Sequence, residues 1–362
     1  MKLGSVALAA LVIVQPAVAQ SPPELPIKAD KPYLHEPSGL SIPTSLDGLP
    51  RARANAFAAE HLDEDFNYFA APDGDEITVF VFRNVTGSAS VWFDRVKAAV
   101  ESRDIYAGVT PVLRPTAFTP PGQSTASGLI ATWRPGKSRY RSTGLAFMPL
   151  GSDWYVEIRY SSVAIAPEAM EAHLRAAVQG LGWPGRIAAQ PAAAPVADCT
   201  TPLQLSGRAS RIAAGQDASA MALLGALASA AAGDKSARKD KAAPTPLAWC
   251  RNVNGYGLPA QHGVYRPVGS TDSYFIAYND AGRGVWVGPN TLGAIVAKEQ
   301  GKSRSTWSVS TVDVAATTNF AERDRLPPPD QAYEIVRSEP YDSRTTTWGK
   351  KRNTQLNSDL FK

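Results

Sequence analysis

Residues 76–83 read Glu-Ile-Thr-Val-Phe-Val-Phe-Arg, and this stretch restricts the possible folds more than any other. With a period of two, Ile77, Val79 and Val81 take one face while Phe80 and Phe82 take the other. A strand apolar on both faces must be covered on both sides, so it belongs near the centre of a sheet with a layer above and a layer below. Asp73-Gly74-Asp75 just before it marks a turn back from a strand at 66–70.

The neighbouring segments supply the covering. Trp92, Phe93, Val96, Ala99 and Val100 recur at one-face helical spacing, which predicts a helix over 90–101 capped by Ser90. Strands are predicted at 112–119, 128–134, 138–148 and 154–160. In the last, Trp154, Val156, Ile158 and Tyr160 point one way and Tyr155, Glu157 and Arg159 the other, which predicts a half-buried strand with one polar face. A second helix opens at Pro167, buries Met170, Leu174, Val178 and Leu181, and stops at Gly182. A run of strands without regular strand–helix alternation predicts α+β: an N-terminal antiparallel sheet with two packed helices.

The two cysteines, Cys199 and Cys250, organise the rest. Residues 1–20 carry a lone basic residue, Lys2, an apolar run over 6–14, Pro16 and the small-x-small sequence Ala17-Val18-Ala19, the plan of a secretory signal cleaved near Ala19. That places the mature protein in the periplasm or outside the cell. In an oxidising compartment an even pair without C-x-x-C spacing is expected to form a disulfide. Closing such a loop stabilises by about 4 kcal/mol in the chain-entropy treatment. Residues 21–32, rich in Pro and Lys, read as a flexible leader. An α+β domain follows over 33–186, and the Ala/Pro stretch 187–198 reads as a linker. Residues 199–362 read as a smaller β-rich α+β module carrying a low-complexity insert at 209–246, with a helix expected over 218–232. Within this module strands are predicted at 262–268, 273–278 and 284–287, with a turn at 279–283. A short helix over 291–299, one strand over 306–318, a helix capped by Asp330 and a final strand at 345–348 complete it.

The chemistry is narrower. With 44% hydrophobic and 19% charged residues the chain builds ordinary cores, and a net charge of +4 is too small and scattered for nucleic-acid recognition. No later run reaches the roughly 18 apolar residues of a transmembrane span. His35, His61, His173 and His262 form no zinc-type spacing, and no nucleophile elbow, P-loop or dinucleotide fingerprint occurs. No catalytic residue, metal or cofactor is therefore assigned. The densest polar stretch, Glu60-His61-Leu62-Asp63-Glu64-Asp65 with Asp73, Asp75 and Glu76 behind it, lacks calcium-loop spacing and reads as solvated loop carboxylates.

The binding candidate is the group Trp133, Arg134, Lys137, Arg139, Tyr140 and Arg141, taken as two strands joined at Pro135-Gly136. Four cations beside two aromatic rings suit an anionic sugar, phosphate or carboxylate; the plainer reading is a charged strand that resists aggregation. The expectation is an exported, non-catalytic cell-envelope protein with a binding or assembly role, whose partner is an envelope polymer or another envelope protein. The alternative is a hydrolase of envelope polymers, its site assembled from residues such as His61, Asp63 or His262. A third reading is a secreted subunit that joins a larger complex through the alanine-rich segment. The oligomeric state is not written in the sequence.

Overall fold

The two-faced stretch at 76–83 forms one strand with those same bounds, and it lies fourth in an eight-stranded sheet. This computed structural model describes residues 22–212, 248–280, 282–291 and 305–361. The secretory signal, the helix expected over 218–232 and nearly all of the one expected over 291–299 lie outside the described residues. The chain is a mixed α+β protein, mostly sheet.

A small hairpin comes first: β1 (Tyr33–His35) and β2 (Leu40–Ile42). The large sheet follows, from β3 (Ser45–Leu46), β4 (Leu49–Ala56), β5 (Asp63–Tyr68), β6 (Glu76–Arg83), β7 (Val109–Phe118), β8 (Gly128–Pro135), β9 (Ser142–Leu150) and β10 (Trp154–Ser162). Its order is β3-β4-β5-β6-β10-β9-β8-β7, antiparallel throughout. Two helices pack on it, α1 (Ala89–Glu101) and α2 (Met170–Gly180). Helix α2 covers the face bearing Val79, Val81, Ala146, Met148, Val156 and Ile158. It approaches closely at Gly144, where a Cβ would stand 2.4 Å from Leu174 Cδ1. Helix α1 covers the opposite face, which carries Phe82, Leu129, Ala131, Leu145, Phe147 and Tyr155.

The second sheet is a meander of nine strands: β11 (Ala197–Asp198), β12 (Trp249–Arg251), β13 (His262–Pro267), β14 (Tyr274–Tyr278), β15 (Arg283–Pro289), β16 (Trp307–Val312), β17 (Ala316–Arg323), β18 (Tyr341–Thr346) and β19 (Thr354–Leu356). Only β11 and β12 run parallel, and the Cys199–Cys250 disulfide ties them beside that pairing. Tyr265, Phe275 and Ala277 of this sheet bury against α1 in the same core as the first sheet, with Trp92 of α1 edge-on to Phe275 at 5.8 Å. A helix, α3 (Pro329–Ser338), covers the far face over Ile276, Val285, Val287 and Val309.

Several sequence expectations are corrected. Ser88, not Ser90, caps α1: its hydroxyl accepts from Val91 N at 3.3 Å, while Ser90 lies inside the helix. Strand β9 starts at Ser142, so residues 138–141 are turn, not strand. The long strand expected over 306–318 is the hairpin β16–β17, turning at 313–315, because Asp313 N bonds Ala316 O. Pro328 precedes α3 and Asp330 sits in its first turn, where its carboxylate meets the helix dipole without capping. The second sheet, expected as the smaller partner, has nine strands against eight.

The polar face of β10 is the most informative correction. Glu157 is 1% exposed and Tyr155 2%, because α1 and the second sheet close over this face. Arg159 there donates to both Glu157 and Asp280, the latter in the β14–β15 turn. The seam between the sheets repeats the theme. Asp94 of α1 accepts from Arg251 at 3.0 Å and from the Tyr265 hydroxyl at 2.8 Å. Arg83 donates to Val314 O and Thr347 and stacks on Trp348; Arg283 donates to Asp63 at 2.7 Å. Residues of the 187–198 stretch lie along the first sheet, with Ala193 N bonded to Ala126 O and Val196 packed on the shared core.

Candidate functional site

The cationic turn that follows β8 is built differently from its sequence reading. Trp133 is buried, 1% exposed, with its indole N–H donating to Glu101 at 3.3 Å. Tyr140 is buried too, its hydroxyl donating to Glu76 at 3.0 Å. Neither ring is free to stack on a ligand. Arg134 pairs with Glu168, Arg139 with Asp73 and with the Tyr140 hydroxyl, and Arg141 donates to Ala164 O. Lys137 is exposed and meets no carboxylate among the described residues. Gly136 is required at the turn, since a Cβ there would stand 2.3 Å from Ala107 O.

The acidic stretch is not a solvated loop. Asp63, Glu64 and Asp65 open β5 and are all buried. Burial pushes the Asp63 carboxyl up to about 6, even with Arg283 beside it, and raises Glu64 and Asp65 as well. Asp65 is held by Asn55 and Asn67, at 2.7 and 2.9 Å. Asp75 turns away to Ser162 and Val163, and Glu76 to Tyr140. The carboxylates therefore diverge, and no group of three His, Cys, Asp or Glu side chains among the described residues is arranged to hold a metal.

Two histidines gather around Glu64. His61 Nδ1 lies 2.5 Å from its carboxylate, with the imidazole 51% exposed and the carboxylate fully buried. The Tyr33 hydroxyl donates to the same carboxylate at 3.2 Å. Glu60 and His61 both have φ of 57°, a left-handed conformation that costs side-chain-bearing residues on the order of 1–3 kcal/mol each. His35 is fully buried, bonds Ser38 Oγ at 2.7 Å and the His61 carbonyl at 2.7 Å, and is pushed down to about 4 by burial. A histidine thus meets a serine with a carboxylate 3.9 Å away. Yet the imidazole is sealed and Ser38 Oγ also accepts from Leu40 N, closing the β1–β2 turn. This is a structural knot, with the half-exposed His61 imidazole at its edge. His173 bonds Asp47 at 2.7 Å, and His262 stacks on Tyr278 and Tyr333, far from either group in the sequence and in other elements.

An open cleft of about 350 Å³ lies on the second sheet, lined by Gln204, Leu205, Ser206, Asp272, Trp307, Arg325 and Leu326. Trp307 begins β16 and its indole N–H donates to Asp272 O at 3.1 Å, which fixes the ring while leaving it half-exposed. Leu326 is buried in the core that includes α3 and Leu205 packs against it, so the floor is apolar. Gln204 is held by its backbone N–H to Thr271 O, leaving the amide side chain exposed at the rim. Arg325 is braced by Asp324 and the Ser206 carbonyl. One aromatic platform ringed by an amide, a hydroxyl, a carboxylate and a guanidinium matches a ligand with apolar C–H faces and many hydroxyls. The residues lining the cleft come from four separate stretches with no common spacing, so the sequence carries no local signal that brings them together. No family model, curated protein or solved structure matches the chain.

Proposed function

We propose that this chain is an exported, non-catalytic binding protein of the cell envelope that takes a glycan segment into the cleft beside Trp307. The cleft carries the reading: a half-exposed indole on an apolar floor with hydrogen-bonding side chains around its rim. The signal-like N-terminus and the disulfide support an oxidising compartment, and no helix among the described residues is long and apolar enough to cross a membrane. In this reading 33–186 is a supporting α+β module, 199–362 is the ligand-bearing one, and 187–198 joins them. The turn carrying Arg134, Lys137, Arg139 and Arg141 contributes a secondary electrostatic attraction to acidic polymers, chiefly through Lys137 and Arg141.

The mature protein incubated with insoluble envelope glycan is expected to sediment with it, and Trp307→Ala to weaken retention at least tenfold with unchanged folding. Equal retention of the two proteins would remove the cleft as the site. The same incubation separates binding from hydrolysis. Release of reducing ends that disappears in His61→Gln would replace the binding reading with a catalytic one centred on His61 and Glu64.

A further inference from the structure

Arg266 of β13 is 1% exposed, yet its Nε and Nη2 have no hydrogen-bond partner among the described residues. Nη1 alone is engaged, donating to Ser270 O. Nε and Nη2 form one edge of the guanidinium, the edge that grips a carboxylate or phosphate with two parallel N–H···O bonds. No carboxylate among the described residues lies within ion-pair distance. Tyr256 is the ionisable group facing it, and burial alone disfavours its charged form. A buried cation without a counter-charge is costly, and removing its partner is the condition that ordinarily makes such a residue intolerable.

The surroundings show the same unmet demand. Cys250 stands directly opposite Arg266 in the β12–β13 pairing, so the disulfide fixes the strand that frames it. Asn252 comes next, just past the end of β12, and its N–H bonds Val264 O, which continues the β12–β13 pairing by one step. Its amide Nδ2 is likewise buried without a partner. These donors, without acceptors among the described residues, sit at neighbouring positions of one strand pair, on the side of the sheet that carries Val264 and Ile276. Beyond Asn252 runs the 253–258 stretch, which bears Tyr256 at φ 47° and Gly257 at φ 67° and is held internally by the Leu258 N to Gly255 O bond.

We propose that this spot is a built site for a small oxyanion, a phosphate, sulfate or carboxylate group, gripped by the Nε–Nη2 edge of Arg266 and by Asn252, and admitted when the 253–258 stretch beyond Asn252 lifts. It is separate from the glycan cleft, sharing with it only the 270–272 loop that Arg266 holds from behind. Thermal unfolding of the full mature chain in sodium phosphate, sulfate or acetate, each against sodium chloride at matched ionic strength, tests it. The expected result is a saturable rise in midpoint with at least one oxyanion, with the apparent dissociation constant raised at least tenfold in Arg266→Met and several-fold in Asn252→Ala. Arg266→Lys, which keeps the charge but lacks the fork, should bind more weakly than wild type. The phosphate and acetate arms distinguish a phosphoryl group from a carboxylate. No saturable rise in wild type, or an equal rise in Arg266→Met or, should that variant not fold, in Asn252→Ala, overturns the proposal. Loss of glycan retention in Trp307→Ala leaves it untouched.

Discussion

Arg159 and Arg266 are both withdrawn from water on the face of a sheet, and they are satisfied in opposite ways. Arg159, at the seam between the sheets, lies between two carboxylates, one from its own strand and one from the other sheet. Arg266, on the far face of the second sheet, meets a single carbonyl, and its Nε–Nη2 edge meets no acceptor among the described residues. A buried charge that fastens two parts of a fold has its counter-charge supplied by the fold. One that lacks it is poised for a charge from elsewhere. The contrast separates an arginine held by two carboxylates from one whose whole Nε–Nη2 edge meets no acceptor among the described residues.

The strongest way to break the contrast is Arg159→Ala. It strands Glu157, 1% exposed, and leaves Asp280 unpaired, so a loss of about 3–5 kcal/mol in urea denaturation is expected. A loss below about 1 kcal/mol would mean that the seam charges are as dispensable as surface pairs. Arg266→Met should move the other way in chloride buffer, keeping or raising the denaturation midpoint, because it deletes a buried cation that meets one carbonyl and no carboxylate among the described residues.

Acidity offers a finer test. Burial pushes Glu157 from its ordinary value of 4.5 up to about 7. The folded chain therefore keeps this proton across the window from about pH 4.5 to 7, where the unfolded chain has lost it. Unfolding releases a proton there, so this residue makes stability fall as pH rises through that window and level off above it. Glu157→Gln should flatten that slope, read from urea midpoints at several pH values; an unchanged slope would assign it to other groups such as Asp63, held up to about 6. The smallest effect belongs to the cationic turn. Arg134 and Glu168 are both more than half exposed, and Arg134→Ala should change stability by no more than about 0.5 kcal/mol.

Local pattern made much of this legible. Strand 76–83 lies where its two apolar faces require, and Met170, Leu174, Val178 and Leu181 bury as their spacing predicts. The β16–β17 hairpin left a trace as well: the apolar side switches between Thr311 and Val312, although the turn Asp313-Val314-Ala315 has no glycine or proline to announce it. The polar face of β10 was misleading for a physical reason. Its partner Asp280 lies 121 residues along the chain, and nothing near Glu157 or Arg159 shows that a second sheet will cover them. Asp63 and Glu64 misled in the same way, as consecutive acids spell solvent unless a tyrosine and an arginine from distant elements arrive to receive them, beside the adjacent His61. The cleft was hidden most completely, since residues 204–206, 272, 307 and 325–326 meet only after the meander closes.

Helix α1 has apolar contacts with both sheets, and its neighbours Asp94 and Arg95 reach Arg251, Tyr265, Gln261 and Asn279 across the seam. The covalent connection at 187–198 is therefore not what keeps the halves together. A chain cut there by a protease would migrate as one particle under native conditions and part into two pieces only in denaturant, because both ends of the disulfide lie on the same side of the cut.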